Sequence, residues 1–415
     1  MRVNRGALLA GLALAACGAG DGGNGGRTDA AEPSVEVTDL ATDPSPEEAT
    51  APVCAPDMEH PIFAVIDPAN GAAAHVSAAG DGEGGAWVAY AELQGGQLRG
   101  AKRGPSGWSV SVLDAAGVHL DPWIGRSVAV AVDRRSSRSG SRRAGQARGT
   151  VAFHNSADET LQLATIEPFA LGVGVRSTLD DTTGAGVDVS IAVAGDTVHV
   201  AYLDLGAGDL QYLSGVGDTW TRETVDSLGV VGNDPSIALA PDGTPAISYY
   251  HCGALVAGGC DAGALKLARR LDGVWASEIL DADGDAGWYT SLAFDAAGQP
   301  GIAYHAHAAG QLRFIMPTVD GWRGHVVDPG PGAGLFASLV LAHGAAYVAY
   351  QDTTSHALKL AVRGPDDVWT TRVIDSGGAG AYASLAPDGA CGLFLAYVHP
   401  TDGVKVATFP PLSAK

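Results

Sequence analysis

His305 and His307 stand two residues apart in the stretch Ala303-Tyr304-His305-Ala306-His307, so an extended backbone projects both imidazoles to one side. His251 and Asp352 occupy matching places in neighbouring repeats. Together the four make a nitrogen and oxygen ligand set suited to Zn or Cu. Three carboxylates, Glu92, Asp204 and Asp352, are the candidates for an acid/base pair in glycoside hydrolysis. Trp123, Trp288, Tyr289, Phe336 and Tyr382 of the loops between repeats offer ring faces on which sugar CH groups stack, while nearby carboxylates and amides take the hydroxyls. Each has a structural reading beside it. Surface histidines are usually satisfied by their own surroundings, and aromatics at a repeated register usually pack between repeats. Trp123 and Trp288 are off the register of the five fourth-strand tryptophans, which favours a functional role for them.

What must position these residues is a repeat. Two β-favouring residues followed by Asp recur seven times, ending at Asp67, Asp114, Asp180, Asp226, Asp281, Asp328 and Asp375, every 46 to 66 residues. Trp108, Trp220, Trp275, Trp322 and Trp369 each stand six residues before such an Asp. Between signatures, short alternating segments bounded by Gly, Pro and Asp read as strands. The second of these ends in an aromatic column, Tyr90, Phe153, Tyr202, Tyr249, Tyr304, Tyr350 and Tyr397. Four short strands per repeat are the blades of a β-propeller. Six units begin near Ser77, Ser127, Ser190, Ser236, Ser291 and Ser338. A seventh, from Ser384, has only three strands, and Ile62 to Asp67 supplies the fourth. The expected fold is therefore all-β, a seven-bladed propeller over residues 61–409 closed by an N-terminal strand, with a short tail at 410–415.

Two residues beyond the aromatic column come Glu92, Asn155, Asp204, His251, Ala306, Asp352 and His399, a polar ring on what is expected to be the top face, apart from Ala306. Such variable loops on a rigid ring are where propellers bind ligands. The five tryptophans of the fourth strands and the aromatic column are expected in the core. The repeated Asp is expected to cap a turn by accepting backbone N–H bonds, not to act as an acid. Blade two departs most: it lacks the Trp and carries an insertion, Arg134 to Arg148, rich in Arg, which could approach anionic lipid.

Composition narrows the function. The chain has 415 residues, 58 of them Gly, and a net charge of −21. Nucleic acid is an unsuitable partner for so acidic a protein. No nucleophile elbow, phosphate loop or zinc-protease helix occurs, and no cofactor is implied. Sialidases combine a propeller with a Tyr–Glu pair and three substrate-binding Arg residues. Here only Arg126 clearly falls in a top loop, and the Ser-x-Asp-x-Gly-x-x-Trp box is absent.

The N-terminus reads as an export signal: Arg2 and Arg5, an apolar run from Ala7 to Ala16, then Cys17. The run is too short to span a bilayer, which needs about 20 residues. Leu14-Ala15-Ala16-Cys17 resembles the lipobox of bacterial lipoproteins, and that resemblance implies acylation of Cys17. Gly18 in place of a retention Asp points to the outer membrane. Residues 18–60, without aromatics, are expected to form a disordered tether. Five cysteines divide as one acylated and two pairs in an oxidising compartment. Cys252 and Cys260 flank one loop, and a Cys54–Cys391 bridge would staple the closure, although four cysteines permit three connectivities. The repeats, such as residues 236–250, resemble tandem propeller repeats of uncharacterised bacterial surface lipoproteins.

These observations lead to a lipid-anchored binding module of the cell envelope, without catalysis, taking carbohydrate or protein on its top face. Glu92, Asn155, Asp204, His251, Trp123, Trp288, Tyr289, Asp352 and His399 are its candidate contacts. A glycan hydrolase or lyase, or a metal binder built on His251, His305, His307 and Asp352, are the alternatives.

Overall fold

A computed structural model describes residues 54–412, except 69–72, 82, 115–126, 134–146, 167–175, 254, 257–258, 261–262 and 390. The signal, Cys17 and the tether as far as residue 53 lie outside the described residues. So do Trp123, Arg126 and all of the Arg-rich insertion but its last two residues.

The described residues form seven four-stranded antiparallel sheets and one two-stranded hairpin, with no helix. Six blades are continuous in sequence, over residues 73–114, 128–180, 185–226, 230–281, 286–328 and 333–375. In the seventh, the three strands of residues 381–409 are joined at the outer edge by Ile62–Asp67, which pairs antiparallel with Gly403–Phe409. The fold is a seven-bladed β-propeller. First strands pack against one another around the axis, while fourth strands lie outermost and alternate towards solvent.

Apolar side chains on both faces of each blade explain why the sheets stack into a ring: neither face can be left wet. Seven hydrophobic clusters result, and each draws its residues from two adjacent blades. The junction of blades seven and one, with Ile66, Tyr90, Phe394 and Val406, is built like the others. The fourth-strand tryptophans are half-buried at these junctions. Trp275 packs edge-on against Tyr212 of the preceding blade at 5.0 Å, and Trp369 against Phe314 at 5.3 Å. The aromatic column is buried throughout.

Polar pins accompany the apolar contacts. The hydroxyls of Ser77, Ser190, Ser236, Ser291, Ser338 and Ser384 each accept the first-strand N–H of the next blade, from Val130, Ile237, Leu292, Leu339, Leu385 and Ala78, at 2.9–3.1 Å. The repeated Asp does cap its turn: Asp226, Asp281 and Asp328 accept the N–H two residues on, at 2.9–3.1 Å. It also does more than capping. The other carboxylate oxygen accepts a phenol from the aromatic column of the next blade, as in Tyr90 to Asp67, Tyr249 to Asp226 and Tyr350 to Asp328, all at 2.6 Å. A cation closes each hub, Arg99 on Asp67, Lys266 on Asp226, Arg313 on Asp281, Lys359 on Asp328 and Lys405 on Asp375. Blade two has Phe153 in the column, so Asp114 receives no phenol there and pairs with Arg176 instead.

The expected tether ends earlier than residue 60. Cys54 is bonded to Cys391, Asp57 N–H donates to the Pro410 carbonyl at 2.6 Å, and Leu412 N–H to Ala55 at 2.9 Å. These bonds hold residues 54–57 and 410–412 together beside blade seven, which shortens the expected tether. Cys252 and Cys260 form the second bridge. Cys54–Cys391 joins residues 337 apart in sequence, against 8 for Cys252–Cys260, so it restricts the unfolded chain far more. Replacing Cys54 and Cys391 together by Ser is expected to lower stability by about 2–4 kcal/mol. Urea denaturation of both forms measures this, and an unchanged midpoint would mean that strand pairing alone secures the closure.

Candidate functional site

The first strand of a blade enters at the top of the ring, and there its backbone is irregular. In blade five, Ala286 faces Ala306 and Trp288 faces His305, but the pairing then slips to Ser291 opposite Ala303. The extra residues form a bulge that re-aims the side chains on it. Gly287 makes this entry possible. Its φ is +108°, and a Cβ there would stand 2.8 Å from the Leu265 Cα of the preceding blade.

Two residues before five of the seven repeated Ser, the same bulge carries His75, Asp234, Tyr289, Phe336 and Tyr382 in the left-handed backbone region, with φ of 48–55°. That conformation is unfavourable for bulky residues. Four of the five are rings, and they form a belt around the axial mouth. Centroid separations are 4.8 Å for His75–Tyr382, 4.6 Å for Tyr382–Phe336 and 4.8 Å for Phe336–Tyr289. At the same register in blades three and four stand Asp188 and Asp234. Asp188 accepts the Asp234 N–H at 3.0 Å, and Asp234 accepts the Tyr289 N–H at 2.9 Å. Sequence reading named Tyr289, Phe336 and Tyr382 as top-face aromatics but not their common register, which counting back from the repeated Ser would have found.

A cavity of about 310 Å³ opens where the belt meets blades five and six. Its walls include Trp288, Tyr289, His305, His307, Leu335 and Thr353. The Trp288 indole N–H donates to Asp285 at 3.1 Å, and the Tyr250 phenol holds the other oxygen of that carboxylate at 2.6 Å. Tyr250 and His307 flank the indole at 4.8 and 5.1 Å between centroids. Trp288 is thus half-buried and fixed in orientation.

His305 is buried, with 4% of its surface exposed. Its Nδ1 lies 2.8 Å from the Ala333 carbonyl of blade six, which can only accept, so the proton sits on Nδ1. Burial, foremost, and the neighbouring His307 lower its pKa, against the opposing pull of the Ala333 carbonyl, Gln311 and Asp285. The ring is therefore neutral at pH 7, and Nε2 carries a lone pair.

Of the nominated contacts, Trp288 and Tyr289 come together in this cavity; Trp123 lies outside the described residues. The polar ring is assembled differently from the expectation, because its members serve their own loops. Glu92 accepts from Gln94 and Gly95 at 2.8 and 2.9 Å, and Asn155 from Ala157 at 3.0 Å. Asp204 accepts from Gly206 and Ala207 at 3.1 Å, and Asp352 from Thr354 and Ser355 at 2.9 and 3.1 Å. His251 bonds the Leu228 carbonyl at 3.1 Å, and His399 Nδ1 stands 3.1 Å from the Thr401 hydroxyl. None of these six lines the cavity.

The expected carboxylate pair does not converge. Glu92, Asp204 and Asp352 belong to blades one, three and six, each within reach of a cation of its own blade, Arg99, Arg222 or Lys359. Burial alone would raise the Asp352 pKa, but its bonds to Lys359 and Ser355 outweigh this and hold it below the usual range, unlike a general acid. The metal set is not assembled either. Among the described residues no group of three or more His, Cys, Asp or Glu is placed to hold an ion. His305 and His307 are neighbours, 5.8 Å apart, but Asp352 is engaged by Lys359 and His251 by a backbone carbonyl.

No protein-family model matches the sequence, and no curated protein is similar to it. Solved structures share the fold. A protein of unknown function from Dyadobacter fermentans superimposes with a TM-score of 0.51 at 9% identity, over 83% of this chain and 97% of that one. An ulvan lyase is similar with a TM-score of 0.49 at 13% identity, covering 85% and 94%. The six-bladed fucose-recognising lectin of Aleuria aurantia reaches 0.48 at 13% identity, covering 74% and 96%.

Proposed function

We propose that this protein is a non-catalytic carbohydrate-binding module that takes its ligand on the top face, in the cavity of blades five and six. The observation that carries this reading is Trp288. It is off the register of the structural tryptophans, half-buried, fixed by Asp285, and part of a cavity wall that also presents His305, His307 and Thr353. A rigid aromatic face beside a few polar groups suits a sugar, whose CH face stacks while its hydroxyls are bonded at the edge. Preorganisation matters here, because an indole already held in place loses little entropy on binding. The carboxylates that catalysis would need are spread over three blades and engaged by their own loops, which favours binding over hydrolysis. An array of immobilised neutral and acidic oligosaccharides tests the reading; a protein that retains no glycan on it is not this module.

The same proposal places the propeller at the cell envelope, held by acylated Cys17. The export signal and the Leu14-Ala15-Ala16-Cys17 tetrad support it. Several acyl chains, each worth roughly 0.8 kcal/mol per buried CH₂, suffice for a firm anchor. Cys17→Ser is expected to move the protein from the membrane pellet to the soluble fraction and to abolish incorporation of labelled palmitate. Label retained in Cys17→Ser would contradict the anchor.

A further inference from the structure

We infer that His305 sets the specificity of the top-face cavity, its neutral Nε2 accepting a hydrogen bond from a ligand hydroxyl so that the site selects neutral sugars over acidic ones. The inference rests on the carbohydrate-binding reading and adds the chemical class of its ligand.

The argument is one of tautomers. The Ala333 carbonyl, 2.8 Å from Nδ1, accepts and cannot donate, so Nδ1 must carry the proton. Nδ1 is thereby committed to blade six, and the remaining hydrogen-bonding atom of the ring is Nε2. His305 is buried yet lines the cavity, and we assign Nε2 as the atom that an entering group meets. Burial favours the neutral form of the ring, against the Gln311 backbone beside it, which favours the protonated one. A hydroxyl can donate to the Nε2 lone pair. A carboxylate cannot, and it would meet repulsion from a second acceptor in a site shielded from water.

The setting supports the assignment. His154 of blade two makes the same bond to its next blade, Nδ1 to the Ala185 carbonyl at 2.8 Å, so holding the ring this way is a device of the repeat. Only in blade five does the held imidazole line the cavity. The titratable groups that face His305 are His307 on its own strand, Tyr289 and Asp285 at the blade entry, and none of the three supplies a competing positive charge unless His307 is protonated. The physical consequence is a pH-dependent preference. Protonation puts N–H on both nitrogens, removes the acceptor, and turns selection towards anionic sugars.

The test uses the propeller with its disulfides intact, on the neutral and acidic glycan array and by calorimetric titration with the strongest neutral oligosaccharide found there. His305→Asn keeps a side-chain N–H for the Ala333 carbonyl and removes the Nε2 acceptor. Neutral-glycan affinity at pH 7.5 is expected to fall about tenfold in His305→Asn, the effect of a well-placed buried hydrogen bond. In the wild type the neutral-glycan affinity should also decline in acid, at a pH below the ordinary imidazole value of about 6.5, with binding of uronic or sialic acid ends rising. His307→Gln removes a neighbour that lowers the His305 pKa, so its pH profile should persist but move to higher pH, whereas His305→Asn should flatten it. Thermal melts of both variants verify that they are folded.

Neutral-glycan binding that is lost in Trp288→Ala but unaffected in affinity and pH profile by His305→Asn overturns the inference and leaves the binding reading standing. A preference for acidic glycans at pH 7.5 overturns it as well. If no glycan binds, the binding reading falls and the inference with it. A pH profile abolished by His307→Gln assigns the effect to the wrong histidine and refutes the role given to His305.

Discussion

Trp288→Ala is expected to weaken oligosaccharide binding by roughly 30-fold or more, the loss seen when an aromatic anchor is truncated at the centre of a site. The reasoning follows from the placement of the indole. Its N–H is held by Asp285, and its ring forms a wall of the cavity between Tyr250 and His307. Alanine removes the stacking face and leaves a gap that Tyr250 cannot fill without breaking its own bond to Asp285. Trp288→Phe retains a face but no N–H, so its affinity should fall between the two. Val319→Ala, at a fully exposed turn of the same blade, serves as the control and should bind as the wild type does. Calorimetry or surface resonance reads the effect. Binding within twofold of the wild type in a folded Trp288→Ala protein would remove this cavity as the sugar site.

The largest stability loss is expected at an interblade hub. Asp226 accepts the Tyr249 phenol at 2.6 Å, the Lys266 ammonium and the Leu228 N–H, and all of the side chains concerned are buried. Asp226→Ala strands a buried ammonium and a buried phenol, which costs about 3–5 kcal/mol. Asp226→Asn keeps an acceptor for the turn and the phenol and should lose less. Acid reveals the same hub. Burial by itself would raise the Asp226 pKa, but the bonds from Lys266, Tyr249 and Leu228 outweigh it and leave the pKa lowered. Asp180, Asp328 and Asp375 are lowered in the same way. The unfolded chain therefore takes up these protons more readily than the native one. The contribution of each hub is complete above the unfolded value of roughly 4 and disappears as pH falls through the lowered native values. Urea midpoints at pH 7 and pH 3 should show a wild-type decline that is smaller in Asp226→Ala. Equal midpoints of the two proteins at pH 7 would contradict the hub.

Legibility in the sequence differed between scaffold and site for a definable reason. A propeller repeats its scaffold, so Trp220, Tyr249 and Asp226 appear with their counterparts at constant spacing, and a pattern is visible without any coordinates. Ligand sites are the places where repeats diverge, and divergence has no register. Glu92, Asp204 and Asp352 recur as polar residues because their second-to-third strand loops need an acceptor for N–H groups, a local demand that resembles a ligand ring. Trp288 was noticed because it broke the register, which is the one kind of signal a functional residue leaves in a repeat.

The sequence by itself determined the blade count, the repeat length, the turn-capping Asp and the buried aromatic column, since these follow from alternation and spacing along one chain. Only the tertiary structure decided that the repeated Asp also binds the next blade's phenol and a cation, because these contacts join residues 22 to 40 apart and cross a blade junction. It alone brought Tyr289, Phe336 and Tyr382 into one belt, through a bulge whose left-handed residue no propensity predicts for an aromatic. And it alone fixed the tautomer of His305, since the carbonyl that holds it belongs to a different blade. Chain-local chemistry is written in the order of residues; directed chemistry between blades exists only once the ring has formed.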